Sequence, residues 1–169
     1  MAAAVKAKIA ATLTVDETLA LGLDNADDPT FTHTLGADAA TLTSSTTPPV
    51  TKTYSETINL SGGGATIDLQ ALTGPNSTTV DFTGLKVQAI KLSCPSTNTE
   101  GITVDRGAAN PYNLFGEDNG SAEQVEVMPG DVYLVKCGAD KREDVDATHS
   151  DIQLAGTGTE TIKVILVAG

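Results

Sequence analysis

From one end of this chain to the other, apolar and polar residues alternate in short runs, and Gly, Pro, Asn or Asp interrupts them every ~8 to 12 residues. Period-two alternation puts successive side chains on opposite faces of an extended strand, so each run can bury one face and wet the other. Helical periodicity is missing. The alternation predicts strands over 7–15 (AKIAATLTV), 30–35 (TFTHTL), 50–60 (VTKTYSETINL), 65–70 (ATIDLQ), 78–82 (TTVDF), 85–94 (LKVQAIKLSC), 101–105 (GITVD), 122–128 (AEQVEVM), 131–137 (DVYLVKC), 151–155 (DIQLA) and 159–167 (TETIKVILV). SGGG at 61–64, TGPN at 73–76, EDNG at 117–120 and MPGD at 128–131 read as turns: Gly supplies positive φ, Pro presets φ, and Asn or Asp bonds its own backbone. In AEQVEVMPGDVYLV, alternating runs flank Pro129-Gly130, which predicts a tight connection between antiparallel strands.

Many short strands with polar turns predict an all-β fold, an antiparallel β-sandwich wound as a jelly roll. The composition agrees: threonine occurs 25 times, aromatics make 4%, and Trp is absent, so the interior must be aliphatic. At 169 residues the chain can bury a full core without staples. LTSSTTPPVT at 42–51 divides residues 1–48, an N-terminal arm or accessory strands, from a sandwich at 49–169; the alternative is one continuous domain with a long surface loop. In the last strand Ile162, Val164 and Leu166 share one face, while Ile165 and Val167 share the other. A strand apolar on both faces is either central or covered by another chain.

A net charge of −12 disfavours nucleic acid and anionic membrane as partners, since both need clustered Lys and Arg. Residues 101–169 carry 12 of the acids against five bases. MAAAVKAKIAATL has no uninterrupted apolar stretch, which predicts neither a signal peptide nor a membrane span. The sequons at Asn59, Asn76 and Asn119 then read as accidental, and Cys94 and Cys137 as buried thiols.

Catalysis would rest on His33 and His149, but no nucleophile elbow accompanies either, and Ser150 merely adjoins His149. Two Cys and two His without C-x-x-C or H-x-H spacing argue against zinc. No enzyme and no cofactor are expected. Calcium has two candidate loops, one with Asp24, Asp27 and Asp28, the other with Asp140, Glu143, Asp144, Asp146 and Asp151; Lys141 and Arg142 would oppose a cation in the second. The Gly62–Gly64 run lacks the helix that a phosphate loop requires.

GITVDRGAANPYNLFG at 101–116 reads as a short strand, a turn at Ala108–Pro111, and a loop whose Tyr112, Leu114 and Phe115 either plug the core or present to a neighbour. With Ile162, Val164, Ile165 and Val167 these are the candidate interface residues. Tyr112 beside Phe115 is also the best platform for a sugar ring.

IDLQALTGPNSTTVDFTGLKVQAIKL, the ITVDRGAANPYNLFG segment, VEVMPGDVYLV and TGTETIKVILVAG together resemble tailed-bacteriophage structural proteins with β-sandwich domains, over residues 57–169. The resemblance implies a virion component assembled in the host cytoplasm, a decoration, cement or minor head protein whose partners are the major capsid protein, other virion proteins and copies of itself. A tail or fibre module, or a glycan-binding sandwich used in host attachment, is the alternative.

Overall fold

The computed structural model describes residues 5–18, 30–74, 77–115, 124–138 and 142–169, with the side chains at 13, 18, 31 and 33–38 excepted. Asp24, Asp27, Asp28, Asp140, Lys141, the sequons at Asn76 and Asn119, the 117–120 turn and the side chain of His33 lie outside the described residues.

Twelve strands occur among the described residues: β1 (Lys6–Thr18), β2 (Thr30–Thr43), β3 (Lys52–Asn59), β4 (Gly64–Asp68), β5 (Leu72–Thr73), β6 (Thr79–Val80), β7 (Val87–Ser93), β8 (Ile102–Arg106), β9 (Val125–Val127), β10 (Val132–Lys136), β11 (Asp151–Ala155) and β12 (Thr161–Ala168). Eight of them form two four-stranded antiparallel sheets, ordered β10-β7-β12-β3 and β4-β11-β8-β9. The sheets pack into a β-sandwich around Leu92, Ile162, Val164 and Leu166 from one side and Ile67, Ile102, Val104, Ile152 and Leu154 from the other. Alternation builds this core: within β12 and β11 every second side chain is buried, as the period of a pleated strand requires.

β12 is central in its sheet, between β7 and β3, and its outer face is only partly covered, since Ile165 stays exposed. Its inner residues face the opposite sheet, while Val167 faces outward and is covered by the arm. The Pro129-Gly130 turn does not close a hairpin. β9 pairs with β8 and β10 with β7, so the turn carries the chain from one sheet to the other. It is held by Gly130 N donating to the Cys94 carbonyl at 2.9 Å and Cys94 N donating to the Asp131 carbonyl at 3.0 Å.

β1 and β2 form a long two-stranded antiparallel arm, paired from Lys6↔Thr43 to Thr18↔Thr30 with one irregularity between Ala11 and Leu13. Thirteen residues in β1 extend ~40 Å at ~3.3 Å per residue. The base of the arm packs on the sandwich: Val5, Ala7, Ile9 and Leu42 cover Val50, Ala89 and Val167. From Ala10 onward every described side chain of β1 is exposed.

Candidate interaction surface

The strand registers fix which side chains share the outer face of the β10-β7-β12-β3 sheet, because directly paired residues project to the same side. Three rows result. Val132, Ser93, Lys163 and Thr57 form the first; Leu134, Lys91, Ile165 and Ser55 the second; Lys136, Ala89, Val167 and Thr53 the third. The third row runs beneath the base of the arm, where Ala89 and Val167 are buried. The first two rows are open. Val132 is 58% exposed, Leu134 39% and Ile165 40%, so three large aliphatic side chains meet solvent on one sheet face.

β10 is an edge strand, which is why both Val132 and Leu134 lack a covering neighbour among the described residues. Clefts continue this surface toward the arm. One of about 370 Å³ is lined by Ile9, Ala11, Ala39, Ala40, Leu134 and Lys136. A second of about 260 Å³ lies over Leu134, Ile165 and Val167.

Lys91, Lys136 and Lys163 stand among these aliphatic residues, and among the described residues none of them pairs with a carboxylate. Three clustered lysines in a chain of net charge −12 make a local positive field on an otherwise acidic molecule. An aliphatic floor beside lysines that meet no described carboxylate has the charge and apolarity to complement an apolar, acidic protein surface. Sequence reasoning picked out Ile165 but not the lysines, because residues 91, 136 and 163 become neighbours only through the sheet order.

The other interface candidates lie elsewhere. Tyr112, Leu114, Ile162 and Val164 are buried in the chain's own core, and Val167 lies under the arm. Phe115 is half-buried against the core and meets Tyr133 edge-on, with ring centroids 6.0 Å apart. The 112–115 loop therefore plugs the core instead of facing a neighbour. Tyr112 offers no ring face to a sugar; Tyr133, 36% exposed, is the accessible aromatic beside Phe115.

The acidic 143–151 segment closes a turn. Asp146 Oδ1 accepts the Thr148 amide at 2.7 Å, the Thr148 hydroxyl at 2.8 Å and the His149 amide at 2.9 Å. These bonds, the Thr148 amide first, pull its carboxyl down to about 2. Both Asp146 Oδ1 and Thr148 Oγ1 crowd His149 Nδ1, at 3.1 and 3.0 Å. Glu143 Oε2 lies 3.6 Å from the other ring nitrogen, Nε2, but the Thr148 hydroxyl gives its proton to Asp146 and not to the ring, which is the wiring of a turn cap. Glu143 accepts the Asn113 amide at 2.7 Å, Asp144 pairs with Lys86 at 3.1 Å, and Asp151 accepts the Ser150 hydroxyl at 2.7 Å. His149 stands between Asp146 and Glu143, but among the described residues no group of three His, Cys, Asp or Glu is arranged to hold a metal ion.

The glycine run is likewise engaged with protein. Gly63 N donates to the Gly158 carbonyl at 3.0 Å, and its carbonyl accepts the Gly156 amide at 2.7 Å. Cys94 and Cys137 are buried thiols, and burial pushes both above the usual thiol range.

The chain matches no family model, no curated protein and no solved structure.

Proposed function

We propose that this chain is a non-enzymatic structural protein that builds into a larger protein assembly, a decoration, cement or minor protein of a bacteriophage head. The outer sheet face carries the reading: Val132, Leu134 and Ile165 are exposed beside Lys91, Lys136 and Lys163, and an exposed apolar sheet face is a surface that seeks a partner. A sandwich with a two-stranded arm that, among the described residues, packs on it through its base fits a lattice protein, which must contact several neighbours at once. The strand order supports a jelly-roll reading of the sandwich: β3 and β4, β7 and β8, and β11 and β12 are successive strands in opposite sheets, and β12 returns beside β3.

Two measurements test this. Mass spectrometry of density-banded virus particles from the native source is expected to find the chain as a stoichiometric component. Purified protein added to heads that lack it is expected to bind and raise their disruption temperature. Absence from banded particles, together with no binding to heads, would overturn the proposal.

A further inference from the structure

The geometry points to a second copy of this chain as the occupant of the outer sheet face: the exposed end of one copy's arm docks on the Lys91, Leu134, Lys163 and Ile165 surface of the next. This rests on reading that face as an assembly surface, and adds what covers it.

Charge complementarity selects the arm. Residues 9–51 contain six carboxylates and no Lys or Arg, so the arm beyond its base is uniformly acidic by sequence. Half of the ten basic residues, in contrast, are Lys6 and Lys8 at the arm base and Lys91, Lys136 and Lys163 on the outer face. The far end of the arm also carries an apolar contact: Val15 is 48% exposed and is followed by exposed Asp16 and Glu17. An apolar side chain next to carboxylates complements Ile165 and Leu134 next to Lys91 and Lys163.

Among the described residues the arm base packs on the row containing Ala89 and Val167, while Leu134 and Ile165 stay open beside it, in clefts that a neighbour can fill. Arm end and sheet face are different surfaces, so the contact is head-to-tail and propagates as a ring or an extended array. The exposed side chains at both ends can be recharged without touching the core, which makes the contact testable.

Light scattering on the full chain, at low and high salt, reads the outcome. The wild type is expected to run heavier than the 17.3 kDa monomer at low salt and to shift toward it as salt screens the contact. The paired variants Lys91→Glu with Lys163→Glu, and Asp16→Lys with Glu17→Lys, are each expected to stay monomeric at low salt with an unchanged melting transition. Mixing the two variants restores complementary ends and is expected to recover the heavier species. A wild type that stays monomeric to its solubility limit, a variant that assembles like wild type, or a mixture that stays monomeric would each overturn the inference. A monomer that still binds heads would sink this contact and leave the structural role standing, whereas self-assembly without any association with particles would do the reverse.

Discussion

The hydroxyl of Tyr112 accepts the Val87 amide at 3.0 Å and donates to the Glu143 carbonyl at 3.2 Å, so one buried side chain ties the 107–115 loop to the start of β7 and to the 143–145 segment. Desolvation raises this phenol well above its ordinary value, which keeps it a neutral donor. Tyr112→Phe would leave a buried amide without its acceptor, a loss of about 1 to 3 kcal/mol. Tyr112→Ala would add a cavity and cost about 3 to 5 kcal/mol. Urea unfolding checks both, with the slope unchanged. Equal stability of Tyr112→Phe and wild type would refute the role.

Asn98 acts as a side-chain substitute for a strand neighbour at the entry to β12. Its Nδ2 donates to the Thr161 carbonyl at 2.7 Å and to Cys94 Sγ at 3.1 Å, while its Oδ1 accepts the Thr161 amide at 3.3 Å. Asn98→Ala is expected to cost about 1 to 3 kcal/mol, because the part-buried Thr161 carbonyl loses a partner. Asn98→Asp should cost more, since a carboxylate would face that carbonyl. Hydrogen exchange at the Thr161 amide provides a local readout; unchanged protection in Asn98→Ala would contradict the assignment.

Period-two alternation made the sandwich legible, since it depends only on local pattern and each sheet wets one face. The same logic missed the far half of β2, where GADAATLT lacks alternation and is held extended by register with β1. It read Pro129-Gly130 as a tight connection between antiparallel strands, but could not show that the two strands join different sheets, because a turn sequence sets the bend and not the sheet that receives the next strand. Tyr112 and Leu114 could not be placed from their surroundings either. Their burial follows from a bridge between Pro111 and Asp151 and from amides directed at Asp151, contacts across ~40 residues of sequence. The lysine-bearing face was illegible for the same reason.

Asp146 predicts an acid-side stability window. Its folded value of about 2 lies below the ordinary 3.8, so its bonds to Thr148 and His149 contribute fully above the unfolded value and are lost as pH falls toward 2. Asp81 and Glu160 shift in the same direction, each through the hydroxyl and amide of one threonine, Thr83 and Thr99. Melting curves of wild type and Asp146→Asn should therefore differ most near neutral pH and converge as pH approaches about 2. A gap that stays constant across that window would show that the carboxylate is not the titrating element.

The base of the arm makes the last prediction, because it separates coverage from folding. Among the described residues none before Tyr54 belongs to the main core, so removing 1–48 should leave the sandwich folded while uncovering Val50, Ala89 and Val167. Near-ultraviolet circular dichroism should persist, and binding of an apolar dye should rise. A gentler version is Ile9→Ala. Ile9 is half-buried, and full burial of such a side chain is worth roughly 1.5 to 3 kcal/mol, so its truncation should loosen the arm by about 1 kcal/mol. That loosening belongs to arm detachment and not to global unfolding, so proteolysis within residues 10–18 should accelerate while the melting midpoint of the sandwich holds. If truncating Ile9 lowered that midpoint as far as a core substitution such as Val164→Ala, the arm would be part of the folding unit, and its role as a separable contact would fail.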